Sequence, residues 1–78
     1  MEIEEKIKQE LKKLGLRIKK LREEKNIKIE ELSLMTGIRK EYLRKIEDGT
    51  ASGVRMLRHL LKISEVLNIQ ISKLFIFD

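Results

Sequence analysis

A single glycine, Gly37, separates two short runs of apolar residues that recur at helical spacing. These apolar residues are Leu32, Met35, Tyr42, Leu43 and Ile46. Glycine adopts the left-handed backbone conformation at little cost, so it favours a sharp exit from one helix and a quick entry into the next. Residues 28–49 therefore predict a helix, a tight turn and a second helix. This shape is shared by DNA-reading helix-turn-helix motifs and by plain helical hairpins.

The composition favours one small all-α domain covering residues 1–78. The chain is 41% hydrophobic and 40% charged, and it has no proline, no tryptophan and only three aromatic residues, which disfavours a sheet. It has no cysteine, so it has neither a disulfide nor a thiolate metal site, and a reducing cytoplasm is the expected location. No apolar run is long enough to cross a membrane.

The net charge of +5 indicates an anionic partner, although lysine-rich helices are also common as solvated surfaces. The excess is segmental. Residues 1–14 balance four lysines against four glutamates, whereas residues 15–28 hold six basic and two acidic residues. Residues 51–62 add three basic residues and no acid.

The N-terminal third carries a stripe of apolar residues at helical spacing. Its members are Ile3, Ile7, Leu11, Leu14, Ile18 and Leu21. Gly15 falls inside the stripe and costs roughly 1 kcal/mol relative to alanine, so the segment is either one helix reaching Lys25 or two helices joined at a bend. The stripe either packs on the domain's own core or contacts a second copy of the chain.

The C-terminal third predicts a fourth helix that starts near Val54 or Arg55 and ends near Asn68, a candidate left-handed cap. Its apparent core face comprises Leu57, Leu60, Leu61, Ser64 and Leu67. Residues 72–75 predict a fifth, short helical turn, and residues 75–78 (FIFD) predict a terminal strand or an extended plug.

In this order, residues 14–75 resemble the lambda-repressor-like helix-turn-helix domains of the Cro/C1 or xenobiotic-response-element type. The matching blocks are LGLRIKKLREEKNI at 14–27, EELSLMTGI at 30–38, YLRKIEDG at 42–49 and LLKISEVLNIQISKLF at 60–75. The resemblance implies a compact five-helix DNA-binding domain with the third helix in the major groove. It leaves residues 1–13 as an N-terminal helical extension and 76–78 as a C-terminal one. The implied core comprises Leu32, Ile38, Leu43, Ile46, Leu57, Leu61 and Leu67.

The resemblance also implies roles for individual residues. A structural ion pair would join Arg22 to Glu47, the alternative being two exposed charges of little consequence. The residues placed to contact bases are Lys40, Glu41 and Lys45. The residues placed to contact phosphates are Arg39, Arg44, Thr50, Ser52, Arg55 and Arg58.

Three departures from the family pattern concern DNA contact. Ile29 stands where the second helix commonly begins with a phosphate-contacting glutamine, and Arg39 stands where the third begins with serine or threonine. The loop after Gly49 is also longer than usual and lacks the common Asn-Pro. An arginine at position 39 can still reach a phosphate, with more charge than serine.

No enzyme motif is present: there is no glycine-rich phosphate loop, no nucleophile with a base and no paired carboxylates in an apolar setting. The lone His59 has no second ligand at metal-binding spacing. We therefore expect no catalytic residue, metal, cofactor or small-molecule ligand.

Two functions remain. The first is a sequence-specific regulator, a repressor or an antitoxin-like autoregulator, that binds double-stranded DNA as a homodimer. The second is a helix-turn-helix adaptor domain that binds protein and not DNA. The residues expected at the dimer interface are Ile3, Ile7, Phe75 and Phe77, because these ends would otherwise expose a sizeable apolar patch. The alternative is that both ends fold back on their own domain.

Overall fold

The computed structural model describes residues 2–76, which form four α-helices and one short 3₁₀ helix, as the all-α prediction required. The elements are α1 (Glu2–Glu24), α2 (Ile29–Thr36), α3 (Lys40–Asp48), α4 (Met56–Val66) and the 3₁₀ helix (Ile71–Phe75). The fifth predicted helix is thus a 3₁₀ turn.

Helix α1 runs through Gly15 without interruption, which settles the choice between one helix and two. Gly15 is buried where α1 crosses α3. A methyl group at this position would collide with the backbone carbonyl oxygens of Ile46 and Glu47. The residue that weakens α1 as an isolated helix therefore allows the two helices to pack backbone to backbone.

Helices α2 and α3 form the predicted pair, joined through Gly37 in the left-handed conformation with φ of 75°. The Lys28 backbone N–H at the start of α2 donates a 2.8 Å hydrogen bond to the Glu31 side chain. Thr36, at the end of α2, donates to the Leu32 carbonyl oxygen and accepts from the Ile38 N–H. These bonds satisfy backbone groups that the helix ends leave free.

One apolar core lies between the helices. Its buried members are Leu14, Ile18, Leu32, Ile38, Leu43, Ile46, Ala51, Leu60, Ile63, Leu67 and Leu74. Within α1, burial begins at Leu14, so the preceding turns extend beyond the core.

The predicted core face of α4 is wrong in part. Leu57 is 61% exposed and Leu61 is 46% exposed, whereas Leu60, Ile63 and Leu67 are buried. Leu57 and Leu61 are one turn apart on the flank of the helix, and the face that packs on α2 is rotated away from them. The helix also begins at Met56, slightly later than predicted.

The predicted C-terminal strand is absent from residues 2–76. Phe75 ends the 3₁₀ helix, and Ile76 is extended but pairs with no strand; Phe77 and Asp78 lie outside the described residues. Leu74 is fully buried, because the 3₁₀ helix packs on both α1 and α4. This anchoring favours a compact turn over an extended edge.

Candidate nucleic-acid interface

A buried ion pair joins α1 to the last turn of α3. The Arg22 guanidinium donates from Nε to Oε2 of Glu47 at 2.7 Å and from Nη2 to Oε1 at 3.0 Å. It also donates from Nη1 to the carbonyl oxygen of Ile27 at 2.8 Å. Arg22 is 8% exposed and Glu47 is 7% exposed, and the hydrogen bond to Glu47 raises the pKa of Arg22. The paired hydrogen bonds therefore hold α3 in a fixed orientation relative to α1.

The outer face of α3 is polar and open to solvent. Glu41, Arg44 and Lys45 are all exposed on it, opposite the buried Leu43 and Ile46. Since α3 is held by its buried side, these three side chains point together into solvent.

Lys40 is placed differently from the other residues predicted to contact bases. It is half-buried at the first turn of α3, and its Nζ lies 3.9 Å from a carboxylate oxygen of Glu30 on α2. The structure therefore brings Glu41 and Lys45 together and sets Lys40 at the edge of the same surface.

The residues predicted to contact phosphates all lie exposed around α3, but only some share a cavity. Arg39 immediately precedes α3, and Arg55 immediately precedes α4. Thr50 lies at the end of α3, where its hydroxyl donates to the Lys45 carbonyl oxygen at 3.3 Å. Arg58 projects from the first turns of α4.

An open cavity of about 520 Å³, which we call the α3–α4 cleft, separates the start of α3 from the start of α4. It is lined by Gly37, Ile38, Arg39, Tyr42, Ser52, Gly53, Val54, Arg55 and His59. Two arginines and no carboxylate line it, so its charge favours an anion. Three predicted phosphate-contacting residues meet here, namely Arg39, Ser52 and Arg55, while Arg44, Thr50 and Arg58 lie outside.

His59 forms the floor of the cleft together with Tyr42. The two rings are 4.9 Å apart between centroids and inclined by 53°, and the Tyr42 hydroxyl approaches the Ser52 carbonyl oxygen at 3.5 Å. Nδ1 of His59 is buried without a hydrogen-bond partner, the one such side-chain atom among residues 2–76. Burial, followed by the nearby Lys62, Arg55 and Arg58, lowers the pKa of His59.

The model of the Cro/C1-type helix-turn-helix DNA-binding domain family matches residues 17–78, well over half of the chain. The chain belongs to this family. The resemblance seen in the sequence is thereby confirmed, and DNA-binding transcription regulation is the general role of this Cro/C1-type domain.

A solved structure supports the same conclusion. The chain is similar to the restriction-modification controller protein C.AhdI from Aeromonas hydrophila, with 31% sequence identity and a TM-score of 0.77. The match covers 83% of this chain and 96% of the controller protein. Among the curated proteins, none matches this Cro/C1-type chain.

A second surface of this Cro/C1-type domain lies on the part of α1 that precedes the family match. Ile3 is 67% exposed and Ile7 is 54% exposed. With Phe75 they line a groove of about 550 Å³, which we call the N-terminal groove; its other residues are Lys6, Glu10, Leu11 and Leu14. The structure therefore brings together three of the four residues expected at a dimer interface, and Phe77 lies outside the described residues.

Residues 2–76 offer neither a metal site nor a membrane span. No group of three acidic or histidine side chains there is placed to hold a metal ion. None of the helices in that range has the length and apolar character needed to cross a membrane.

Proposed function

We propose that this chain is a cytoplasmic, sequence-specific regulator that binds double-stranded DNA with α3 in the major groove, acting as a repressor or an antitoxin-like autoregulator. The observation that carries the proposal is the exposed face of α3, where Glu41, Arg44 and Lys45 lie beside the doubly basic α3–α4 cleft. A rigid helix with exposed polar side chains, flanked by cations, is the arrangement that groove reading requires.

Base readout is assigned to the exposed face of α3 and its edge. The ammonium groups of Lys40 and Lys45 suit the O6 and N7 acceptors of guanine, and the Glu41 carboxylate suits the amino group of cytosine. Because Lys40 is half-buried near Glu30, its contact falls at the edge of the site read by Lys45.

Phosphate contacts surround that face. Arg39 and Arg55 approach the backbone from the two sides of the α3–α4 cleft, and Arg44 does so from α3 itself. Thr50, Ser52 and Arg58 complete the set from the loop and α4. These contacts set the register of α3 and supply most of the salt-dependent affinity.

Regulation is favoured over DNA packaging because the solved neighbour is named a controller protein. A regulator of this size gains specificity by binding as a two-fold dimer on paired half-sites.

The N-terminal groove fits a second copy of the same chain. Lys6 and Glu10 flank its apolar floor on one side of α1. If two α1 helices cross antiparallel here, Lys6 of one copy faces Glu10 of the other, so the interface is self-complementary in charge as well as apolar. The dimer we propose is built on this contact of Ile3, Ile7 and Phe75, with Phe77 following in the chain.

Selection of bound sequences from a random duplex pool tests the function. We expect an enriched sequence with two-fold symmetry, and about six phosphate contacts predict a loss of roughly a thousandfold in affinity between about 50 and about 200 mM salt. A protein adaptor would enrich no sequence and would bind duplexes too weakly to measure this slope, and that result would contradict the proposal.

A further inference from the structure

His59 is the feature of the α3–α4 cleft that phosphate binding by arginine does not explain. Its Nδ1 atom is buried and has no hydrogen-bond partner within residues 2–76. Since Nδ1 is the buried nitrogen, Nε2 is the one that solvent or a ligand can reach. A neutral ring in this setting carries its proton on Nε2, because a proton on Nδ1 would lack an acceptor.

The charges around His59 are uniformly positive. Arg39 and Tyr42 face it from the α3 side of the cleft, and Arg55, Arg58 and Lys62 surround it on α4. No carboxylate lines the cleft. In the free protein, protonation would therefore place a charge in a partly desolvated site among other cations, which disfavours the charged ring.

We propose that His59 completes a binding site for one DNA backbone phosphate between Arg39 and Arg55, and that the ring takes up a proton when the phosphate binds. This inference rests on the proposed DNA-binding function and adds a ligand contact and a pH dependence to it. The bound anion supplies the negative charge that the cleft lacks, and Nε2–H donates to it whether the ring is neutral or charged.

Proton uptake on binding has a defined sign. The lowered pKa of free His59 rises in the complex, so the complex is favoured as the pH falls through the interval between the two pKa values. If binding raises the pKa by about one unit, affinity for the duplex at a pH well below the pKa of the free ring exceeds affinity at a pH well above the pKa in the complex by about tenfold.

The chain contains a single histidine, so its ring proton resonances report on this site directly. We would titrate them by NMR in the free protein and in the complex with the selected duplex. We expect the pKa to be about one unit or more higher in the complex. Equal pKa values in the two states would overturn the inference while leaving DNA binding intact. A chain that binds no duplex would overturn both.

Duplexes with a single neutral methylphosphonate linkage distinguish one phosphate bound in the α3–α4 cleft from the overall negative potential of the DNA. We expect the pKa rise to vanish for one linkage, or for its two symmetry mates, and to persist for the others. A pKa rise that persists with every single replacement would show that no one phosphate is bound in the α3–α4 cleft and would overturn the inference.

The His59→Gln variant retains an amide donor and cannot titrate. Its affinity should lose the approximately tenfold pH dependence of the wild type over the same range. An unchanged dependence in this variant would assign the effect to other groups and overturn the role of His59.

Discussion

Arg22 uses three of its nitrogens to join α1, the α1–α2 turn and α3. Two of them donate to Glu47 and one to the Ile27 carbonyl oxygen, so three of the five N–H donors of the guanidinium are used in these contacts. A lysine could not reproduce this geometry, because a single ammonium cannot form the paired bonds to a carboxylate and also reach Ile27.

Arg22→Ala and Glu47→Ala should each lower the free energy of unfolding by roughly 3 to 5 kcal/mol, because each leaves a buried charge without its partner. The double variant should lose less than the sum of the two, since no orphaned charge remains. Denaturant unfolding of all four proteins measures this coupling. Arg22→Lys is the control and should recover little of the loss. Strict additivity would show that the pair acts as two independent charges.

His59 also predicts how the stability of the free domain depends on pH. Because burial lowers the pKa of His59 in the folded state, the unfolded chain binds its proton first as the pH falls below about 6.5. The free energy of unfolding should therefore decrease between about pH 7 and about pH 5 more in the wild type than in His59→Gln. Thermal unfolding without DNA measures the difference. An identical decrease in both proteins would contradict it.

The contact between α1 and α3 depends on the absence of a side chain at Gly15. Gly15→Ala gains about 1 kcal/mol of helix propensity, but its methyl group meets backbone atoms of α3 that cannot move as a side chain would. We expect a net loss of at least about 1 kcal/mol in the free energy of unfolding. Leu16→Ala on the exposed side of α1 is the control and should change it by less than about 0.5 kcal/mol. A stabilised Gly15→Ala protein would mean that the helices do not approach this closely.

Helix α3 and the start of α4 should differ in what they contribute to DNA binding. Lys40→Ala and Lys45→Ala should each relax base preference at a separate position of the site by roughly 1 to 3 kcal/mol. Arg55→Ala should weaken all duplexes alike and reduce the salt slope by about one. Competition binding with single-base variants of the selected duplex measures both effects. Uniform loss in all three proteins would show that α3 does not read bases.

The elements that the sequence predicts well are those whose apolar face is narrow. Helix α3 has two apolar core positions among charged neighbours, so its buried side and its exposed side are both evident from the pattern. Helix α4 is apolar on most of its surface, with Leu57 and Leu61 as well as Leu60 and Ile63, and the pattern alone cannot select the face that α2 will cover.

The burial of a polar residue in α2 was also not predicted from the sequence. In α2 the apolar spacing favours Met35, yet Met35 is exposed and Thr36 is buried. The Thr36 hydroxyl is satisfied by Leu32 and by the N–H of Ile38, so a polar residue fits inside. The role of His59 in the α3–α4 cleft was not predicted for a similar reason: nothing in its neighbouring residues signals that the ring packs against Tyr42.

The proposed dimer makes a prediction about the whole molecule. Ile7→Ser should shift the protein toward monomer in sedimentation, because it removes apolar area from the N-terminal groove. It should weaken binding to a two-half-site duplex much more than binding to one half-site. Leu16→Ser, at an exposed apolar position of α1 outside the groove, is the matched control and should do neither.

A charge exchange tests the antiparallel orientation of α1. Lys6→Glu should disrupt the dimer, because the new carboxylate faces Glu10 of the other copy. Adding Glu10→Lys to the same chain should restore it, since the pair is then reversed and again complementary. A wild-type protein that sediments as a monomer at high micromolar concentration, or a double variant that stays monomeric, would exclude this interface.

The unbroken path of α1 across Gly15 gives the domain the mechanics of a lever. No break separates the segment that carries Ile3 and Ile7 from the segment whose backbone lies against α3, since both belong to one continuous helix.

 The part of that helix that precedes the buried Leu14, residues 2–13, is about three turns, or roughly 18 Å, long. A force applied to this N-terminal segment would therefore be transmitted directly to α3. A contact that holds the N-terminal ends of two such domains together would also fix the distance and the angle between their α3 helices.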